Sequence, residues 1–346
     1  MTRVEAMLWE KLDEGRVRCG LCAHRCEIKE GDFGFCRVRQ NSLGKLYTHV
    51  YGRTVAENTD PIEKKPLYHF LPGSSAYSIA TVGCNFRCSF CQNWAISQVS
   101  SEKSGDGFFR ALSEKGHEMS PEAIVDEAER SGSKSIAYTY TEPTVFFEYA
   151  HDTARIARAK GLKNCFVTNG FMTKEAIDKI RPYLDAANVD LKFFKDDTYK
   201  KLCKGRLQPV LDSIKNMKDA GIWVEVTTLV IPGVNDTDEE LRGIAVFLAR
   251  TGKEIPWHVS RFHPDYRYTS SGPTPLETIE KAVEIGKAEG LKYVYPGNVP
   301  GGGETNCYAC GKVLIDRTSF SGKINRENFD EGKCRACGAV IEGAWR

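Results

Sequence analysis

The sequence predicts an α/β fold: a partial (β/α)6 barrel of TIM-like design, with a small cysteine-rich module towards either end of the chain. Two observations carry this prediction. From about residue 76 to 290, short apolar runs alternate with longer amphipathic stretches, the pattern of βα units around a parallel sheet. Eleven of the thirteen cysteines fall into three close-spaced sets, one directly after the first apolar run and one in each terminal region.

Six runs read as strands: 76–82, 136–140, 164–168, 187–191, 223–230 and 257–262. Helices are expected between them. One over 121–131 has Ser120 as N-cap and Pro121 at its first position, and one over 142–160 ends before Gly161. Others are expected over 174–183, 210–220, 238–250 and 275–289, each starting near Ser, Thr or Asp, which cap free backbone N–H groups. The run Thr59-Asp60-Pro61-Ile62-Glu63-Lys64-Lys65-Pro66-Leu67-Tyr68-His69-Phe70 has too many charges and prolines for a helix or a central strand, so it reads as an ordered connection into the barrel. Residues 101–116, rich in Gly, Ser and charge, read as a mobile loop able to close over a site. A Pro/Gly-rich stretch over 296–303 marks a boundary, which gives an N-terminal module and connection over 1–70, a barrel over 71–300 and a C-terminal module over 301–346.

At 346 residues and a net charge of +2, the chain is long enough for one large α/β domain with appendages and carries no electrostatic footprint for nucleic acid. No run has the length of a membrane span and the N-terminus lacks a signal-peptide core, so a cytoplasmic protein without a membrane partner is expected. Clustered cysteines there follow metal spacing rather than disulfide spacing. Cys165 and Cys203, the two outside the clusters, read as a strand thiol and a loop thiol without function.

Cys84, Cys88 and Cys91 form a C-x3-C-x2-C loop. Iron–sulfur clusters are commonly held by four thiolates. Three can hold three irons of a cubane and leave the fourth for another ligand, and a site with an open position is catalytic rather than structural. A zinc knuckle would pair its cysteines and supply a fourth ligand. Barrel chemistry sits at the C-terminal ends of strands, which directs attention to Thr139-Tyr140-Thr141-Glu142-Pro143, Thr168-Asn169-Gly170, Asp190-Leu191-Lys192 and Arg261-Phe262-His263-Pro264.

The terminal sets differ in specificity. Cys307-x2-Cys310 and Cys334-x2-Cys337 are two like knuckles flanking the β-prone Val313-Leu314-Ile315, a zinc-ribbon-like pattern for which zinc is expected. A rubredoxin-like iron or an auxiliary cluster uses the same ligands. Cys19, Cys22, Cys26 and Cys36 suit either structural zinc or a second cubane, with zinc preferred because no electron path is visible in sequence.

Together these residues resemble the radical S-adenosylmethionine (SAM) superfamily, and within it the radical SAM member of the AmmeMemoRadiSam system, a branch related to the activating enzymes of glycyl radical enzymes such as pyruvate formate-lyase. The resemblance rests on residues 84–94, 60–70 and 295–301 and on the terminal knuckles. It implies a [4Fe–4S] cluster on Cys84, Cys88 and Cys91 whose fourth iron binds SAM. An electron from that cluster then gives methionine and a 5′-deoxyadenosyl radical. It also implies SAM contacts from Glu142, Thr168, Asn169, Asp190, Lys192 and His263, and a low-potential electron donor of flavodoxin or ferredoxin type. Tyr140 and Thr141 replace two glycines of the activating enzymes, and Val167 replaces an acidic residue of their monovalent-cation site. The expected function is hydrogen abstraction from a substrate of a Memo-associated pathway, with a Memo-like protein as a partner. The alternatives are activation of a glycyl radical enzyme and a non-catalytic zinc-binding interaction protein.

Overall fold

All six apolar runs form strands, and two further strands extend the sheet they build. In the computed structural model, which describes residues 3–98, 116–317 and 321–346, the sheet runs Ala56–Pro61, Ser75–Ala80, Ser135–Tyr138, Lys163–Thr168, Ala186–Asp190, Trp223–Val230, Trp257–Arg261 and Val294–Gly297. Ala56–Pro61 is antiparallel to Ser75–Ala80 and every other neighbouring pair is parallel. Spatial order follows chain order, so each crossover returns the chain to the next position in the sheet. Ser135–Tyr138 is buried throughout and Ser75–Ala80 nearly so, as strands covered on both faces require.

The two unexpected strands correct the sequence reading. Ala56–Pro61 lies at the sheet edge with Glu57 and Asn58 partly or wholly exposed, where polar residues and a terminal proline are tolerated, so the connection begins with an edge strand rather than wholly irregular chain. Val294–Gly297 is the opposite edge and runs into the Pro-Gly pair that was read as a boundary. The stretch 101–116, expected to be a mobile loop, lies outside the described residues up to 115.

Helices follow as expected, with shifted ends. Ser120 accepts from the Ala123 N–H ahead of Pro121–Arg130, and Thr173 and Thr237 cap Lys174–Ile180 and Asp238–Thr251 likewise. The helix expected over 142–160 is a 3-10 turn, Pro143–Phe146, followed by Phe147–Ala159. Leu207–Asp219 begins before its expected start, and the Leu207 N–H is satisfied at 2.8 Å by distant Asp196 in place of a local cap. Among the described residues, no helix is long and apolar enough to cross a membrane.

The terminal regions are tied to the barrel by buried charge. Arg39, on the N-terminal strand Arg39–Ser42, forms a paired contact with Glu148 of Phe147–Ala159 at 3.0 and 2.5 Å, with both side chains at most 3% exposed. Removing either partner would strand a buried charge. At the other end of the molecule, Glu225 in Trp223–Val230 accepts from the backbone N–H groups of Tyr68 and His69 at 2.9 and 2.7 Å, from Trp223 Nε1 at 3.0 Å, and bonds His258 Nε2 at 2.7 Å. Burial raises the Glu225 carboxyl, but its donors prevail and hold it below the usual carboxylate range. His69 in turn bonds the Glu342 carbonyl oxygen through Nδ1 at 2.7 Å and the Tyr295 hydroxyl through Nε2 at 2.6 Å. The C-terminal strands Thr305–Asn306, Val313–Asp316 and Lys323–Ile324 and the hairpin Phe329–Asp330/Lys333–Cys334 thus share a buried cluster with Tyr293 and Tyr295 of the barrel.

Candidate active site

The cysteine loop leaves the sheet at the C-terminal end of Ser75–Ala80 and is clamped from two sides. Gly83 has φ +100°, and a Cβ there would come within 2.6 Å of Val38, so only glycine lets the loop turn beneath the N-terminal module. The Arg87 and Ser89 N–H groups donate to the carbonyl oxygens of Cys203 and Leu202 at 2.8 and 3.0 Å, fixing the loop against the single π-helical turn Tyr199–Cys203. A Cβ at Gly205 would meet the Phe86 ring at 2.4 Å.

Cys84, Cys88 and Cys91 open on one cavity of about 320 Å³, and Glu142, Thr168, Asn169, Asp190 and Lys192 line the same space. Parallel register brings them together: Thr168 pairs with Val189, and Asp190 with Thr227. His263 is the exception. It is exposed and lines an adjoining cavity of about 700 Å³ with Tyr68, His258 and Arg317, while Lys64, Gln92, Ser260 and Asn298 border both cavities.

Hydrogen bonding assigns each side chain its place. Glu142 is buried and its carboxylate is already occupied: it accepts from Thr144 N and Oγ1 at 3.1 and 2.5 Å, from Thr168 Oγ1 at 2.8 Å and from Asn169 N at 2.8 Å. Burial pushes its carboxyl above the usual range against these donors. It therefore fixes the turn that presents Asn169, whose amide nitrogen reaches Asn85 Oδ1 at 2.7 Å and lies 3.8 Å from Cys84 Sγ. Asp190 and Lys192 form an ion pair at 2.7 Å. Tyr140 adopts φ +61°, the backbone region that favours glycine. Its hydroxyl donates to Asp60 at 2.6 Å, Lys65 bonds the same carboxylate at 2.8 Å, and the Lys65 ammonium sits 4.6 Å from the Tyr140 ring centre.

Sequence reasoning missed several neighbours. Cys203, read as a loop thiol, is buried with its sulfur 3.4 Å from Cys88 Sγ. Ser97 Oγ lies 3.1 Å from Cys91 Sγ. Asn93, by contrast, was legible as a residue that suits the cysteine loop, and it donates to the Tyr140 carbonyl at 2.8 Å. Lys64 and Lys65 were visible as part of the charged connection over 60–70 but were given no place in the site. No local pattern marks Cys203, because the contact spans 115 positions.

The cysteine sets differ in spacing. Cys307, Cys310, Cys334 and Cys337 have all four sulfurs within 4.8 Å of one another, and the Cys307–Cys337 and Cys310–Cys334 pairs are 3.6 Å apart. A tetrahedron of four 2.3 Å metal–sulfur bonds has edges of ~3.8 Å, so this set fits one ion. Among the described residues, no other group of three or more Cys, His, Asp or Glu side chains meets that spacing. Cys84, Cys88 and Cys91 do not form such a group. They suit a cubane, whose ligands radiate from the corners of a cage. Cys19, Cys22, Cys26 and Cys36 surround a small cavity of their own.

Residues 78–246 match the family model described as the radical SAM superfamily. An uncharacterised protein of Methanocaldococcus jannaschii is 47% identical over 341 residues, which cover 98% of each chain. The pyruvate formate-lyase-activating enzyme of Staphylococcus epidermidis is 22% identical over 65% of this chain and 90% of its own. A crystal structure of Streptococcus suis SuiB bound to S-adenosylmethionine aligns with 68% of this chain and 53% of that one, at 14% identity and a TM-score of 0.49.

Proposed function

The chain belongs to the radical SAM superfamily, and we propose that it abstracts hydrogen from a small substrate held in the paired cavities at the mouth of the barrel, as a step of a Memo-associated pathway. The observation that carries this reading is the convergence of three thiols with Asn169, Asp190 and Lys192 on one cavity that continues into a second. Cys84, Cys88 and Cys91 are the residues to hold a [4Fe–4S] cluster through three irons. With SAM on the fourth iron, that group supplies one-electron cleavage of a carbon–sulfur bond and a carbon radical strong enough to take hydrogen.

The protein's own part is placement. Glu142 holds the 168–169 turn, and Asn169 and the Asp190–Lys192 pair offer polar groups of both signs to the amino and carboxylate ends of the methionine moiety. Phe86 and Phe90, on the cavity wall, keep water from the reacting atoms. The larger cavity, bordered by Tyr68, His258, His263 and Arg317, is the substrate's place.

The second reading, activation of a glycyl radical enzyme, draws support from the activating-enzyme relative. Val167 on the cavity wall, in place of an acidic residue, favours the first. To separate them, the anaerobically reduced enzyme is incubated with SAM and each candidate partner. The expected result is 5′-deoxyadenosine without a protein radical. A glycyl-type paramagnetic resonance doublet on a partner, dependent on Cys88, would reverse the order of the two readings.

A further inference from the structure

Sequence alone left Cys19, Cys22, Cys26 and Cys36 open between zinc and a cluster, with zinc preferred. Their arrangement in space points the other way. We infer that this quartet binds a second cubane iron–sulfur cluster, packed directly behind the three-cysteine loop.

Three independent features carry the inference. The first is spacing. The four sulfurs do not share the mutual 4.8 Å separation of the C-terminal quartet, nor does any three of them, although both sets lie in the same chain and offer the same ligand. A single tetrahedral ion draws four sulfurs to ~3.8 Å. A cubane keeps them apart at the corners of a cage.

The second is the space they enclose. All four cysteines line one cavity, walled by Leu21, Ile28 and Val145, with room for the centre of a water-sized sphere over about 20 Å³. A single water needs ~10–15 Å³ on that measure. A zinc ion in contact with four thiolates leaves no such void, whereas a cage of irons and sulfides fills one. The surroundings also provide for charge: the Arg39 guanidinium, itself buried, borders the cavity, and the Phe35 N–H points at Cys26 Sγ at 3.4 Å. N–H groups directed at sulfur are among the contacts that tune iron–sulfur centres.

The third is position, and it supplies the connection that the sequence hides. The Cys36 carbonyl oxygen lies against Gly83, 3.4 Å from where a Cβ would stand. Arg87 donates through Nη1 to the Cys84 carbonyl at 2.7 Å and through Nη2 to the Phe35 carbonyl, so one guanidinium spans the neighbours of both sites. His24 Nε2, between Cys22 and Cys26, bonds the carbonyl oxygen of Asn85 at 2.8 Å. Two such bridges between cysteine loops more than forty residues apart in sequence place the quartet beside the mouth of the barrel rather than on a separate appendage.

The assignment concerns metal content, so it stands or falls apart from the SAM chemistry proposed above. The full chain is produced anaerobically, supplied with iron and sulfide, and analysed for iron, sulfide and zinc. About eight irons and about one zinc per chain are expected. The decisive variant leaves the quartet intact: Cys84→Ala, Cys88→Ala and Cys91→Ala combined should keep about four irons, the brown cluster absorption and a paramagnetic signal on reduction. Conversely Cys26→Ala, at a half-exposed position, should lose about four irons and retain the signal of the three-cysteine cluster. A triple variant that folds without iron, a second zinc in the parent protein, or a single iron with a rubredoxin spectrum would each overturn the inference.

Discussion

Cys88 is buried at the mouth of the barrel in a loop that faces a cavity, whereas Cys310 and Cys337 stand at the surface, each with a partner sulfur 3.6 Å away. Both regions are built from thiols, yet one is closed on itself and the other is left incomplete. Closure suits a metal that contributes to folding: the C-terminal segment owes much of its small core to two barrel tyrosines, and a bound ion would add the rest. Incompleteness suits reaction, because an iron without a protein ligand must find one elsewhere. The ligand type does not distinguish the two sites. Spacing, burial and the adjoining space do.

The sharpest way to break this comparison is to remove one thiol from each region. Cys88→Ala should abolish reductive cleavage of SAM to 5′-deoxyadenosine while the chain keeps about one zinc. Cys310→Ala should lose that zinc and keep the spectrum of the three-cysteine cluster, as read by metal analysis and absorption. Equal loss of iron in both variants would mean that the two sites are one cooperative unit.

A smaller effect tests the seam between the regions. Burial depresses His69 to about 4. Its Nδ1 donates to a carbonyl, so Nε2 must accept from Tyr295, and a protonated ring could not do both. Because the folded value lies below the unfolded value of ~6.5, this stabilisation is complete above pH 6.5 and is lost as pH falls towards 4. Between pH 7 and 5 the loss should be about 2 kcal/mol in denaturant unfolding, beyond any change in a His69→Gln control. Identical pH dependence in the two proteins would remove His69 from the seam.

The smallest effect concerns the mouth alone. With Cys88 bound as thiolate, the Cys203 thiol 3.4 Å away is placed to donate a hydrogen bond to it, and such bonds favour the reduced, more negative cluster. Cys203→Ala should lower the cluster's midpoint potential by some tens of millivolts in a redox titration and leave zinc content unchanged. An unaltered potential would reduce Cys203 to packing.

What the sequence disclosed tracks the range of the forces involved. Strands such as 223–230 and helices such as Asp238–Thr251 are written in local apolar patterns and caps, and the strand-end rule located Glu142, Asn169, Asp190 and Lys192 because parallel register is regular. The edge strand Ala56–Pro61 escaped because an edge relaxes the demand for apolar residues. His263 was placed by the same strand-end rule, but the strand ends at Arg261 and His263, two residues on, is exposed. Contacts such as Cys88–Cys203, Asn85–Asn169 and Glu225–His69 join segments 84 to 156 positions apart, and no local period encodes them.

The segment around His69 also bears on how the protein is made. It is synthesised early, but its two backbone N–H groups wait for Glu225, its imidazole for Tyr295 and the Glu342 carbonyl, and its own carbonyl for the Ala344 N–H. On a ribosome that delivers the chain from the N-terminus, a stretch near residue 70 therefore stays unfinished until residue 344 has emerged. Contacts of such long sequence separation are slow to close, so a nascent chain stalled before residue 340 should offer this segment to chaperones and proteases, although most of the barrel has already been made.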